Sequence, residues 1–141
     1  MCLWVCISFL FMKEINVVAA IIEREGRYLI CQRPEDKALG GKWEFVGGKI
    51  ERGETPQQAL VRECREEMAM VVEVGELFEK VSFDYGDRLV HLHFFFSKIV
   101  ENEPILLEHS AMAWTTPEEM KKYDFCPADR PVVEKLCEIS R

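Results

Sequence analysis

Residues 48–70 read GKIERGETPQQALVRECREEMAM, and the spacing of the glutamates in this stretch decides how the rest of the chain is read. Thr55 is placed to cap a helix, Pro56 suits its first position, and Gln58, three residues on, completes a capping-box pattern. A helix is therefore predicted from residue 56 to about 69. On it Glu63, Glu66 and Glu67 fall at i, i+3 and i+4, so their carboxylates leave one face about a turn apart. Like charges so close destabilise a helix unless cations neutralise them. An all-oxygen ligand set suits a hard cation such as Mg²⁺ or Mn²⁺, and Mg²⁺ commonly bridges protein carboxylates to substrate phosphates. The cluster implies a polyphosphate ligand. The alternative, a solvated charge-rich helix face, gives no reason for Gly47, Gly48 and Gly53 just ahead of the helix, which imply tight turns and close backbone approach. Nor does it give a role to Arg62 and Glu54, which are spaced for a bidentate pair fixing loop to helix.

These residues resemble the Nudix box, in which Gly, five residues, Glu, seven residues, then Arg-Glu, an aliphatic, any residue and Glu-Glu follow in order. Gly48, Glu54, Arg62, Glu63, Cys64, Glu66 and Glu67 match. A set spaced in this way is far more specific than a lone glycine motif. Ala69 departs from the usual Gly and Val46 from the Pro that often precedes the two glycines. If residue 69 is left-handed, Ala there costs roughly 1 kcal/mol relative to Gly.

The 141 residues, 48% hydrophobic and 30% charged, are those of an ordinary globular chain long enough for a substantial core. A net charge of -7 excludes a surface that coats DNA or RNA, which needs basic stripes. Cys2, Cys6, Cys31, Cys64, Cys126 and Cys137 form no CxxC pair and no His/Cys zinc spacing, which points to buried free thiols in a reducing cytoplasm. Residues 1–11, MCLWVCISFLF, are too short to span a bilayer and lack the basic start and cleavage site of a signal peptide. They are read as a leader outside the native chain, translation starting at Met12 and residues 12–141 forming one domain. The alternative is an extra strand.

Residues 15–22 and 27–32 flank a turn at Glu25-Gly26 and predict a hairpin; WEFV predicts a short strand; 71–84 and 87–100 predict two more, and 104–114 another toward Trp114. A short helix is expected from Thr116-Pro117 and a final one from about Asp129 or Pro131. Interleaved strands and helices indicate an α/β (α+β) sandwich. The resemblance, which runs from Val17 to Leu136, implies the Nudix fold, a mixed β-sheet between α-helices. VVAAIIERxGRYLICQRP, WEFVGGKI, PEEM and CPADRPVVEKL narrow it to MutT-type enzymes, including the CTP pyrophosphohydrolase branch.

That resemblance implies a Mg²⁺-dependent hydrolase, with Mn²⁺ as substitute, that cleaves a nucleoside triphosphate to monophosphate and pyrophosphate. Glu63, Glu66, Glu67 and the Gly47 carbonyl are the expected metal ligands, with Glu108 as a further one or else a surface acid. Arg62 and Glu54 brace the box, and Glu63 orients the attacking water, with Glu108 its rival. Arg33 is expected to hold phosphate, or to be a plain strand-end arginine, and Lys49 to bind substrate. Phe45 is read as a stacking surface for the base or as core. Asp129 stands where enzymes preferring oxidised guanine carry Asn. An ionised Asp only accepts, which favours amine-bearing bases such as cytosine unless burial leaves it protonated. Its other reading is a helix cap. His91 and His93 share one strand face and line the pocket or are structurally satisfied. The substrate reading is CTP, dCTP or a modified pyrimidine deoxynucleotide. The alternatives are sanitation of 8-oxo-dGTP or another oxidised purine, and a nucleotide-binding regulator without turnover. The chain is expected to act as a monomer or homodimer, away from nucleic acid and membrane.

Overall fold

The computed structural model describes residues 12–140. The readings of residues 1–11 as a leader or an extra strand lie outside the described residues. Strand β1 (Lys13–Arg24) turns at Glu25 and Gly26, both at positive φ, into β2 (Arg27–Gln32). The pair holds only at the turn end, Glu23 with Tyr28 and Arg24 with Arg27, and then splays. Below that hinge β1 runs parallel to β6 (Arg88–Glu101) and antiparallel to β4 (Gly47–Lys49), with β5 (Val71–Asp84) beyond β6. β2 instead pairs with β3 (Trp43–Glu44) and β7 (Ala111–Thr115). The sheet is therefore mixed, with β1 and β2 parting beyond their turn. The expected WEFV strand is shorter than predicted: Phe45 and Val46 leave the ladder, although the Val46 carbonyl still accepts from Ala20 N–H at 2.9 Å.

Alternation along β1 assigns its two faces. Val18, Ala20 and Ile22 pack with Leu60, Cys64 and Met68 of α1 (Pro56–Met68), whereas Ala19 and Ile21 pack with Met120 of α2 (Pro117–Met120) and Val132 and Leu136 of α3 (Arg130–Ile139). Each face thus buries its own core under helix, the period-2 pattern of a central strand. Thr55 accepts from Gln58 N–H at 3.1 Å and Gln58 Oε1 accepts from Thr55 N–H at 2.9 Å, the capping box expected; Thr116 and Glu119 repeat it on α2. Residue 69 is left-handed, with φ 53° and ψ 26°. A Cβ crowds the following carbonyl in that region, so Ala69→Gly is expected to raise stability by about 0.5–1 kcal/mol. The check is the urea midpoint at unchanged m-value; a midpoint that stays put or falls contradicts it. Among the described residues no helix is long and apolar enough to cross a membrane.

Candidate active site

Helix α1 packs over the Gly47-Gly48 strand with Glu67 lining the cleft, and the two glycines let β4 sit close against β1 on one side and against Glu63 of α1 on the other. A Cβ at Gly47 would collide with the Val18 carbonyl, and one at Gly48 with the Glu63 carboxylate. Arg62 is the brace. Its Nε and Nη2 reach the two oxygens of Glu54 at 2.7 and 2.9 Å, the bidentate pair expected, while Nη2 also donates to the Lys49 carbonyl at 3.0 Å. Nη1 reaches Glu63 at 2.8 Å and Glu66 at 3.1 Å. The guanidinium and a backbone bond from Glu51 hold the Glu54 carboxyl down to about 2.

The three helix glutamates are not equivalent. The Glu66 side chain is 55% exposed, while that of Glu63 is 14% exposed. Burial raises the Glu63 carboxyl against the opposing pull of Arg62. Glu67 is pushed up to about 9, by burial first, then by the charges of Glu63, Glu44 and Glu108, with a Gly47 backbone bond acting against them. Its Oε2 is buried without a hydrogen-bond partner among the described residues. An orphaned buried oxygen beside a second half-buried carboxylate fits a divalent cation. Glu108 lies on an exposed loop, yet its charge bears on both Glu63 and Glu67.

The cleft, about 500 Å³, runs from Glu67, Gly48 and Lys49 to Tyr85, Cys126 and Asp129. Several expectations change here. Arg33 lines the cleft, and its Nε donates to the Ala38 carbonyl at 2.7 Å while its Nη1 reaches Glu44 at 3.1 Å, so two of its donors are engaged within the protein. Phe45 is 2% exposed, packed on Phe94 and Phe125, and forms floor instead of a stacking platform. Asp129 makes no side-chain cap to α3, so the capping alternative fails. It is 4% exposed, and burial, reinforced by the charge of Glu44, raises it well above the ordinary carboxylate range. The shift is toward the neutral form, the case in which the carboxyl is no longer acceptor-only. His91 sits off the cleft, 2.8 Å from Ser82 Oγ and 3.1 Å from Glu14, which is the structurally satisfied reading.

Sequence reasoning missed Glu44 and His109. His109 Nε2 lies 3.0 Å from Glu44 Oε2, and a Cys31 sulfur joins them within 4.8 Å. Spacing could not reveal this trio, since its members come from β2, β3 and the loop before β7. Arg33 already supplies Glu44 with positive charge, and burial and the Glu44 charge push the Cys31 thiol well up, so the group is a poor cation site. Cys31, Cys64, Cys126 and Cys137 are buried and outside any disulfide, as expected.

A NUDIX domain profile matches residues 17–135. The chain is 44% identical over 123 residues to the CTP pyrophosphohydrolase of Escherichia coli, covering 87% of this chain and 91% of that one. It is 38% identical to the E. coli 8-oxo-dGTP diphosphatase, over 89% of this chain and 98% of the relative. The solution structure of the E. coli ORF135 protein superposes with a TM-score of 0.79 at 41% identity, covering 92% of each chain. With the box glutamates, their arginine brace and the mixed sheet in place, the chain belongs to the Nudix hydrolase family, as a MutT-type nucleotide pyrophosphohydrolase.

Proposed function

We propose that the protein hydrolyses CTP, dCTP or a modified pyrimidine deoxynucleoside triphosphate to the monophosphate and pyrophosphate, with Mg²⁺ or Mn²⁺ bound by Glu63, Glu66 and Glu67, the Gly47 carbonyl and Glu108. Bound there, the ion would screen the phosphates and lower the pKa of a water. Glu63, at the cleft edge under the Arg62 guanidinium, orients the attacking water toward the β-phosphorus. Lys49 draws in the phosphate chain, while Arg33 acts indirectly by fixing Glu44 on the cleft wall. The triphosphate would lie along the Gly48 strand and the base toward Asp129.

The observation that favours the pyrimidine reading is the 44% identity to a CTP pyrophosphohydrolase, and the buried Asp129 that lines the cleft is compatible with it. A neutral carboxyl offers one O–H donor and one carbonyl acceptor side by side. That pair complements cytosine, whose N3 accepts beside an N4 amine that donates. It also complements the O6 and N1–H of an oxidised guanine, so the purine reading keeps one specific support, alongside the similarity to an 8-oxo-dGTP diphosphatase. A panel of normal, methylated and oxidised triphosphates, scored for pyrophosphate against orthophosphate, tests substrate and cleavage position together. A preference for purines, or release of orthophosphate, overturns the reading.

Asp129→Asn sharpens it. An amide also donates and accepts, so with a neutral Asp129 the ratio of dCTP to 8-oxo-dGTP kcat/KM is expected to move by less than about tenfold, ~1.4 kcal/mol. An ionised Asp129 predicts a reversal toward keto bases instead. The two outcomes separate on one ratio.

A further inference from the structure

The loop that carries Glu108 to α1 is held on both sides by backbone. Ile105 N–H donates to the Met68 carbonyl at 3.0 Å, Leu107 N–H to the Glu67 carbonyl at 3.3 Å, and Ser110 N–H to the Gln32 carbonyl at 3.0 Å. Between these anchors the side chains face the wrong way for a loop selected on apolar burial. Ile105, Leu106 and Leu107 are 52%, 43% and 54% exposed, whereas the His109 side chain is 4% exposed. Burying an imidazole while three aliphatics stay in water reverses the usual order of preference, and calls for a specific partner.

That partner is Glu44. An ionised carboxylate only accepts, so the proton of this contact belongs to His109 Nε2. The other oxygen of Glu44 is taken by Arg33 Nη1 at 3.1 Å. His109 Nδ1 has no partner among the described residues, so Nε2 is the imidazole's one hydrogen-bonded end. Glu44 lines the cleft, and its charge bears on both Glu67 and Asp129. The residue before His109 is Glu108, whose charge bears on Glu63 and Glu67.

We propose that His109 is a positioning residue: by donating to Glu44 it pins the 105–110 loop across the end of α1, so that Glu108 stays beside Glu63 and Glu67. It touches neither metal nor nucleotide. The inference rests on the metal-dependent reading of the cleft given above, and it adds a determinant of metal affinity lying outside the box.

The test is Mn²⁺ binding to the full chain without nucleotide, followed by the EPR signal of free Mn²⁺, for wild type, H109L, H109M, H109Q, E108Q and the H109L/E108Q double variant. Partners that orient metal ligands typically affect affinity by about 10–100-fold when removed, so H109L and H109M are expected to raise half-saturating Mn²⁺ by at least ~10-fold. H109Q, whose amide N–H reaches toward the place of Nε2, should stay within about threefold, and the double variant should be no weaker than E108Q within the same margin. Turnover by H109L should recover at saturating Mn²⁺, which a general loss of structure would not allow. The proposal is overturned if a folded H109L or H109M binds Mn²⁺ like wild type, or if H109L and E108Q add. It is also overturned if both donor-less variants unfold while H109Q does not, since the role is then structural. Absence of Mn²⁺ binding by the wild type would instead defeat the metal-dependent reading itself.

Discussion

Replacing Glu67 with Gln is expected to leave a folded protein that is more stable than the parent in the absence of metal and has lost roughly 10³-fold or more in kcat, the scale of several kcal/mol of transition-state charge stabilisation. The stability gain follows from the raised carboxyl. Its native pKa, about 9, lies above the ordinary 4.5, so between those values the folded chain keeps a proton that the unfolded chain has released. Stability of the metal-free protein is therefore intact below the lower value and falls as pH rises through that window. At pH 7 the span from 4.5 corresponds to at most ~3 kcal/mol, at ~1.36 kcal/mol per unit. An amide at this position keeps the shape and removes the titration. In EDTA the urea midpoint of E67Q should thus exceed that of the parent little at pH 5 and most at pH 8 to 9. A gap that is constant with pH, or that shrinks as pH rises, contradicts the burial of this carboxylate. Turnover retained by E67Q contradicts its role, and a wild type without turnover makes the chain a binder.

The second large effect belongs to the two glycines, and they are expected to fail differently. At Gly47 an added Cβ meets backbone, the Val18 carbonyl and the Ala19 Cα, and neither can move without parting β4 from β1. Gly47→Ala should cost more than ~3 kcal/mol, the range of overpacking against an unyielding neighbour. At Gly48 the atoms met are the far end of the Glu63 side chain, which can swing aside. Gly48→Ala should keep its fold within about 1–2 kcal/mol while turnover drops by about 10²-fold, because a displacement near 1 Å at a reacting centre is enough for that. Denaturation midpoints and kcat measured on both variants check the contrast. Equal stability in the two is inconsistent with the packing of β4 on β1, and an active G48A with the packing of α1 on β4.

Much of this was legible in the chain because the interactions involved are short-range. Thr55 and Gln58, Thr116 and Glu119, the turn at Glu25-Gly26 and the Glu54–Arg62 pair all join residues close in sequence, where spacing alone fixes who can meet. What was not legible depends on strands far apart in sequence. Nothing local says that β1 will lie parallel to β6 or splay from β2, and the cleft is lined from β1, β4 and β6 together. Glu44 fell within a predicted strand and His109 drew no reading, yet a separation of 65 positions closes into a 3.0 Å contact. Arg33 looked available for phosphate for the same reason: its partner Glu44 could not be foreseen. The ionisation of Asp129 is likewise a product of burial. The residue type alone reads as an acceptor, while burial shifts the carboxyl toward the neutral form.

Glu63, held by Arg62, and Glu67, bonded to the Gly47 backbone, are the core of the divalent-cation site on which the proposed chemistry depends. Anomalous diffraction from crystals soaked in Mn²⁺ tests this most directly. A peak is expected within about 2–2.4 Å of carboxylate oxygens of both residues, an ordinary bond length for a hard divalent cation. A map empty there, or a peak only at Cys31, Glu44 and His109, contradicts it.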